Sequence, residues 1–132
     1  MGRRVAGGRG QAVVELALAL PLLALLLFGI IDFGLGLSAR IQVSNAVREG
    51  ARLASVRWAD ADIETQVQRK VRNLTDTVIN ATLPTPVVEF PDGKVPGGSV
   101  RVRQDCTYNF FVPVLSGIVS LDCSSTMEMR LE

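Results

Sequence analysis

Two residues near the start of the chain have types and a spacing that could support chemistry at a membrane surface. Gly10 is followed by four residues and then by Glu15, and an uninterrupted apolar run extends from Leu16 to Ile31. Because Gly10 has no side chain, a peptidase working at the membrane face could close on the backbone there. Glu15 places a carboxylate at the edge of a bilayer segment, where an unpaired charge is unfavourable and usually signals function. The alternative is a glutamate that snorkels at the rim of an ordinary single-pass anchor.

The apolar run is long enough to cross a membrane. Residues 11–31 form a segment of 21 residues, roughly 31 Å long as a helix, which is about the hydrocarbon thickness of a bilayer. The ten residues before it contain no acidic residue and three arginines, Arg3, Arg4 and Arg9. The positive-inside rule therefore places the N-terminus in the cytoplasm and the chain after Asp32 outside. We predict a leader peptide at 1–10, a transmembrane helix at 11–31 and an extracytoplasmic α+β domain at 32–132.

A secretory signal peptide is the alternative explanation of this segment, since it also has basic, apolar and small-residue zones. Residues 36–38, Gly-Leu-Ser, could pass as a cleavage site before Ala39. Against this, the apolar core is longer than most signal cores, Glu15 interrupts its start and Asp32 precedes the site. The two hypotheses differ in the mature N-terminus. It is Gln11 if residues 1–10 are a leader peptide that is removed, and Ala39 if the segment is a secretory signal peptide.

The composition argues against catalysis and against nucleic-acid binding. The chain of 132 residues has a formal charge of +1, and removal of residues 1–10 leaves 11 basic residues against 13 acidic ones, a charge of −2. This is not the charge of a nucleic-acid surface. The chain has no histidine, the commonest acid–base group and metal ligand, and its two cysteines are too far apart for a zinc cluster. We predict no enzyme activity, no catalytic residue, no cofactor and no metal site.

Two helices are predicted from the apolar periodicity. The first continues past Asp32 to about Trp58, because apolar residues recur at steps of three and four along one stripe, Val43, Val47, Ala51, Ala54 and Trp58. Beside this stripe runs a row of small residues suited to close contact, Ala39, Ala46, Gly50 and Ala54. The second helix is predicted from an N-cap at Asp60 or Asp62 to about Ala81, with an apolar stripe at Ile63, Val67, Val71 or Leu74, and Val78.

The period of the apolar residues changes to two from Val87 onward, which predicts strands. A short strand is expected at 87–90. A half-buried strand at 100–110 has its apolar residues at even positions, with one polar exception at Gln104. In the last segment, residues 123–131, the odd positions face inward. These two longer strands are expected to form an antiparallel hairpin.

Cys106 and Cys123 fall on the inward faces of the two hairpin strands. They lie in the compartment where disulfides persist, and one bridge between them is the simplest prediction. If the two cysteines face each other, the antiparallel register is fixed. It then pairs Val102 with Met127, Val100 with Met129, and Arg101 with Glu128.

The connection between the hairpin strands, residues 111–121, is almost wholly apolar. Such a connection is unusual, because connections normally lie on the surface. Either it folds back onto the sheet, or it forms a patch for a partner or for the membrane face.

Three stretches of the chain resemble the TadE-like family, the minor pilins and pseudopilins of tight-adherence, Flp-type pilus systems. Residues 14–17 (Val-Glu-Leu-Ala) resemble the start of that family. Residues 29–34 (Gly-Ile-Ile-Asp-Phe-Gly) and 45–52 (Asn-Ala-Val-Arg-Glu-Gly-Ala-Arg) resemble its two signature stretches. The resemblance covers roughly residues 9–58, and the rest of the chain agrees only in pattern.

The resemblance implies a structural role in pilus assembly. Gly10, Gln11 and Glu15 match the layout of a type IV prepilin processing site, at which a prepilin peptidase cuts between Gly10 and Gln11. In pilin-like families the glutamate is thought to pair with the new α-amino group of a neighbouring subunit. The implied partners are this peptidase, other pilin or pseudopilin subunits, the inner-membrane pilus assembly platform and membrane lipid. The implied location is the bacterial cytoplasmic membrane or the pilus itself.

The competing function is a binding module, membrane-anchored or secreted, that has its own ligand. Sequencing of the mature N-terminus separates the two functions. An N-terminus at Gln11 that depends on a prepilin peptidase supports the pilus subunit. An intact leader, or an N-terminus at Ala39, supports the binding module.

Overall fold

The structure is a computed structural model that describes residues 8–112, 116–117 and 119–132, without the side chains of residues 8 and 9. It contains helices α1 (Gly8–Val56) and α2 (Ile63–Thr75), followed by six short strands. The strands are β1 (Ala81–Thr82), β2 (Val87–Glu89), β3 (Ser99–Gln104), β4 (Thr107–Tyr108), β5 (Leu121–Asp122) and β6 (Ser125–Arg130). The predicted α+β class, with a long N-terminal helix, a second helix and a small antiparallel sheet region, is confirmed.

Helix α1 has two halves that differ in what surrounds them. Its most apolar window lies near the N-terminus and is 0% buried. From Asp32 onward the helix becomes amphipathic, and one stripe of it is enclosed by the rest of the domain. That stripe contains the predicted residues Val43, Val47, Ala51 and Ala54, each fully buried. The N-terminal half of α1 is apolar on every side, and it projects from the domain as an anchor. The C-terminal half is apolar on one side only, and that side packs into the domain as its central helix.

The predicted end of α1 at about Trp58 is two residues too late, because the helix ends at Val56. The N–H of Arg57 still donates to the carbonyl of Leu53 at 3.1 Å, and the chain then turns through residues 57–62. The Trp58 side chain packs at the rim of the core, and its Nε1–H donates to the Glu132 carbonyl at 2.7 Å.

The predicted end of α2 at Ala81 is wrong, because the helix ends at Thr75. The Thr75 hydroxyl donates back to the carbonyl of Val71 at 3.0 Å, and Asn80 adopts a φ of 58°. A left-handed residue cannot continue a right-handed helix, and Asn tolerates that conformation better than most residues. Ala81 is instead the first residue of β1.

The predicted start of α2 is close to the observed one. Asp62 occupies the N-cap position, as predicted, although its side chain makes no capping hydrogen bond. The buried stripe of α2 is Ile63, Val67, Val71 and Thr75. The alternative position for the stripe at Leu74 is wrong, because that side chain is 42% exposed.

The strands form two three-stranded antiparallel sheets, with the orders β1-β4-β5 and β2-β3-β6. The single strand predicted at 100–110 is therefore divided in two. The break falls at Asp105 and Cys106, where the Cys106 N–H donates to the Ser124 hydroxyl at 3.0 Å instead of to a strand carbonyl. The polar exception at Gln104 is buried, and its amide donates to the carbonyls of Pro84 at 2.7 Å and Asp105 at 2.8 Å.

The predicted register of the hairpin is confirmed. Strands β3 and β6 pair Val100 with Met129, Arg101 with Glu128, and Val102 with Met127. On the exposed face, Arg101 Nη2 lies 2.9 Å from Glu128 Oε2.

The disulfide joins the two sides of the hairpin in the short break between β3 and β4. Cys106 and Cys123 are bonded, with their Cα atoms 4.9 Å apart, and both are buried. The Cys123 N–H also donates to the Cys106 carbonyl at 3.0 Å. The predicted bridge is therefore present, within the range of Cα separations that a disulfide allows.

Gly50 allows α1 and α2 to approach each other closely. A Cβ atom placed on Gly50 would lie 2.6 Å from Val71 Cγ2 and 3.3 Å from Val67 Cγ1. Of the row of small residues predicted from the sequence, Gly50 therefore marks the contact between the helices, and Ala39, Ala46 and Ala54 are also buried.

Candidate functional site

Gly10, Gln11 and Glu15 lie together in the first two turns of α1. Gly10 is the third residue of the helix, and Gln11 follows it directly. Gln11 and Glu15 are four residues apart, so they share one helix face. The Gln11 side-chain amide donates to Glu15 Oε1 at 3.3 Å. The structure thus places the three predicted site residues next to one another on an exposed helix end.

The backbone at Gly10 is open to a peptidase. A side chain placed there would meet no heavy atom within 4 Å. The first turn of a helix also lacks partners for its N–H groups, so its ends fray easily. The space around Gly10 therefore leaves the Gly10–Gln11 peptide bond accessible.

Glu15 is the single ionisable residue between Gly10 and Asp32. It is exposed, and among the described residues it forms no ion pair. Its neighbours on α1 are apolar and exposed; Val14 is 58% exposed and Leu16 is 62% exposed. A carboxylate in such surroundings is costly unless a cation lies beside it.

The described part of the chain contains one helix that is long and apolar enough to cross a membrane, which is α1. Its exposed apolar side chains extend from Val13 to Phe33. This surface suits a membrane anchor, because an apolar surface of this extent is not stable in water.

A second group of residues, which the sequence did not reveal, lies where α1 leaves the apolar segment. Asp32 is 2% exposed, and its Oδ1 accepts a hydrogen bond from the Tyr108 hydroxyl at 2.9 Å. Its other oxygen, Oδ2, accepts from the backbone N–H of Val112 at 3.1 Å. The sequence shows that Asp32 directly follows the apolar run, which could have marked it as a special carboxylate. Its hydrogen-bond partners could not be found from the sequence, because they lie more than seventy positions away.

The pKa values of this pair reflect its burial. Burial and the hydrogen bond to the Asp32 carboxylate raise the pKa of the Tyr108 hydroxyl to about 12. Desolvation by itself would raise the pKa of Asp32. The hydrogen bonds from the backbone at Val112 and Phe111 and from Tyr108 together hold that pKa below its usual value. Asp32 is therefore ionised and Tyr108 protonated at neutral pH.

Gly36 completes the contact between α1 and the sheet β1-β4-β5. A Cβ atom on Gly36 would collide with the Leu121 side chain, and it would lie 3.2 Å from Tyr108 Cδ1. Tyr108 in turn packs edge-to-face on Phe110, with ring centroids 5.3 Å apart. The strands β4 and β5 are thus fixed against the helix within one turn of Asp32.

The described parts of the apolar connection at 111–121 differ in exposure, and the choice between its two alternatives stays a prediction. Val112 and Leu121 contact α1 at Asp32 and Gly36. Phe111 and Val119, by contrast, are 57% and 42% exposed. Residues 113–115 and 118 of this connection lie outside the described residues.

The described residues contain no group of three or more His, Cys, Asp or Glu side chains that could hold a metal ion. The carboxylates instead take part in hydrogen bonds and surface ion pairs, such as Arg52 with Glu49 and Arg103 with Asp105.

The fold and the site together define a protein with one apolar N-terminal helix that suits membrane anchoring and continues as the spine of a small α+β domain. A family model described as TadE-like protein matches residues 10–52. This match begins at Gly10, includes Glu15 and Asp32 and ends at Arg52, and it confirms the resemblance to the TadE-like family over that segment. The match indicates a pilin-like protein associated with tight-adherence pili. No curated protein and no solved structure matches the chain significantly.

Proposed function

We propose that this chain is a minor pilin or pseudopilin that a prepilin peptidase cuts after Gly10 and that takes part in assembling a tight-adherence, type IV-like pilus. The observation that carries this proposal is the single helix α1. Its exposed apolar half carries Gly10 and Glu15 at its start, and its buried half is the spine of the domain. The family match over residues 10–52 supports the same function.

A cut after Gly10 would place a positive α-amino group near the negative Glu15 carboxylate at the start of the helix. A cut between Gly10 and Gln11 leaves an α-amino group on Gln11, one helical turn from the Glu15 carboxylate. In the uncut chain, the polar contact of that carboxylate is with the Gln11 side-chain amide. The amine of a neighbouring subunit would neutralise Glu15 as the anchor helices bundle, which removes an unpaired charge from an apolar environment.

The proposed location is the bacterial inner membrane, with residues 1–10 in the cytoplasm and the domain outside. The arginines of the leader support this orientation. The disulfide between Cys106 and Cys123 supports an oxidising compartment for the domain. The proposed partners are other pilin or pseudopilin subunits, the prepilin peptidase, the inner-membrane assembly platform and lipid.

The buried positions of α1 argue against a cut before Ala39. Such a cut would remove Asp32 and Gly36, which are both buried against the domain. It would also expose Tyr108 and Leu121, which pack on Gly36. The signal-peptide alternative thus requires the mature domain to lose part of its own core.

The test is the N-terminus of the full chain, expressed in a bacterial host with and without a prepilin peptidase of a tight-adherence system. We expect an N-terminus at Gln11 only when the peptidase is present, read by intact mass and N-terminal sequencing of the membrane fraction. Gly10→Asp should abolish the cut and leave the longer form in the membrane. Gly8→Asp adds the same charge two residues upstream and serves as the control that should still be processed. Normal maturation of Gly10→Asp, or an N-terminus at Ala39, would contradict the proposal.

A further inference from the structure

An apolar groove of about 440 Å³ lies where the anchor helix meets the domain. One wall is a face of α1 formed by Leu25, Leu26, Gly29, Ile30 and Phe33. The other wall comes from the domain and consists of Phe110 and Val119. All of these described lining residues are uncharged, so the groove is suited to a purely hydrocarbon occupant.

The position of the groove along α1 places it at the depth of the outer leaflet. If the membrane segment starts at Gln11, Leu25 lies roughly 21 Å and Phe33 roughly 33 Å further along the helix axis. The midplane of a bilayer lies at about 15 Å on the same scale. The groove therefore opens entirely into the outer half of the bilayer and its boundary, and it continues the exposed apolar surface of the anchor.

The contact of Asp32 with the domain fixes the height of Val112 along α1. Asp32 is the first residue after the predicted membrane segment, and it binds Val112 N–H at 3.1 Å and the Tyr108 hydroxyl at 2.9 Å. The neighbouring Phe111 is held at the same level with its side chain 57% exposed. Val119 is 42% exposed on the other arm of the connection.

We infer that this part of the domain is a lipid-binding surface: Phe111 and Val119 insert into the outer leaflet, and the groove takes an acyl chain of a phospholipid. The position of the groove favours this occupant, because the groove opens at the depth of the outer leaflet, where lipid acyl chains surround the exposed apolar face of α1.

The inference rests on the proposed membrane anchor, and it goes beyond the proposed function because it gives the domain its own contact with lipid. The domain would then have one fixed orientation on the membrane surface before assembly. Leaving the membrane for a pilus would require this lipid contact to break.

The test uses nitroxide spin labels on the full chain in phospholipid vesicles. Both native cysteines are in the disulfide, so a single introduced cysteine can be labelled, and one label per chain shows that the bridge is intact. Phe111→Cys and Val119→Cys report on the proposed surface. Leu22→Cys, at a position 63% exposed in the middle of the anchor, reports on the membrane span. Val95→Cys, at a position 48% exposed, is the matched control on the domain, because the adjacent Lys94 pairs with Glu64 at the N-terminal end of α2, away from the anchor.

Collision of the labels with oxygen, which concentrates in lipid, is compared with collision with a water-soluble nickel(II) chelate. We expect the ratio of oxygen to nickel collision at positions 111, 119 and 22 to be several-fold higher than at position 95. A water-like ratio at 111 and 119 with a lipid-like ratio at 22 would overturn the lipid-binding surface and leave the anchor intact. A water-like ratio at 22 would overturn the anchor and the inference together. Spectral broadening at 119 that disappears when labelled chain is diluted with unlabelled chain would show a second copy in the groove, and it would also overturn the inference.

Discussion

At the scale of the residue, Asp32 is a buried carboxylate that joins the helix to the domain by hydrogen bonds alone. Its two oxygens accept from Tyr108 at 2.9 Å and from Val112 at 3.1 Å. A hydrogen bond to a charged group contributes about 1.5–3 kcal/mol, more than one between neutral groups. This group can therefore fix the position of the domain on α1 without a salt bridge.

The hydroxyl of Tyr108 provides a direct measurement of this contact, since it is the single tyrosine of the chain. Its pKa of about 12 should be visible in the ultraviolet absorbance of tyrosinate as the pH is raised. Asp32→Asn removes the negative charge next to the hydroxyl, so we expect the tyrosine pKa to move down toward the ordinary value of about 10. Glu89→Gln neutralises an exposed carboxylate in the other sheet and should leave the titration unchanged. A tyrosine pKa that is the same in Asp32→Asn and in the original chain would show that the contact does not form.

The same pair sets the pH range over which the contact stabilises the fold. The folded pKa of Tyr108 is raised, so its contribution is complete below about pH 10 and is lost as the pH rises toward 12. The folded pKa of Asp32 is lowered, so its contribution is present above about pH 3.9 and is lost as the pH falls through the folded value. Between these limits the contact should be insensitive to pH.

At the scale of the element, the packing of α1 on α2 depends on the absence of a side chain at Gly50. Alanine has a higher helix propensity than glycine by about 1 kcal/mol. A Cβ atom at this site, however, would lie 2.6 Å from Val71 Cγ2, and overpacking of this kind typically costs about 1–3 kcal/mol. We therefore expect Gly50→Ala to lower the free energy of unfolding, measured in detergent by the fluorescence of Trp58.

The control for this prediction is Gly34→Ala, because a Cβ atom on Gly34 would meet nothing within 4 Å. That substitution should leave the free energy of unfolding unchanged or raise it. Because Val71→Ala makes room for the new methyl group, the double variant Gly50→Ala, Val71→Ala should lose less stability than the two single variants added together. If Gly50→Ala is as stable as Gly34→Ala, the close approach of the two helices is wrong.

The disulfide is the second element-scale feature with a measurable contribution. Cys106 and Cys123 are 17 residues apart in sequence, and loop-closure estimates give about 3 kcal/mol for a bridge of this span. Cys106→Ser should lower the free energy of unfolding by up to this amount and reduce the yield of the domain outside the cytoplasm. The original chain under reducing conditions should fall to the same stability. A Cys106→Ser variant as stable as the oxidised chain would contradict a stabilising role for the bridge.

The elements differ in how far the sequence determines them. The register of β3 and β6 was predictable because the alternation of apolar residues and the facing pair Cys106 and Cys123 agree on one alignment. The end of α2 was not predictable, because the turn at Asn80 is held by contacts with Asn109, whose carbonyl accepts from the Asn80 amide at 2.9 Å. The burial of Asp32 was missed for the same reason, since both of its partners are distant in sequence.

At the scale of the whole molecule, α1 belongs to two environments. The half that carries Glu15 is exposed and apolar, and the half that follows Asp32 is enclosed by α2 and the sheets. Any force on the anchor is therefore transmitted to the domain through one uninterrupted helix and through the contact at Asp32. This suits a subunit that is extracted from a membrane as a unit.

Glu15→Leu should separate insertion of the whole molecule from its assembly. The substitution removes the one charge from the apolar half of α1, so membrane insertion should be at least as efficient as in the original chain. If Glu15 pairs with the α-amino group of a neighbouring subunit, however, co-assembly should fail. Both are measurable on the same cells, insertion as the amount of chain in the membrane fraction and assembly as the amount that co-purifies with sheared pili. Ala12→Leu enlarges an exposed neighbour on the same helix and keeps the carboxylate, so it is the matched control. This variant should insert into the membrane and also assemble into pili. Pili that form normally and contain Glu15→Leu would show that the carboxylate has no part in pairing between subunits.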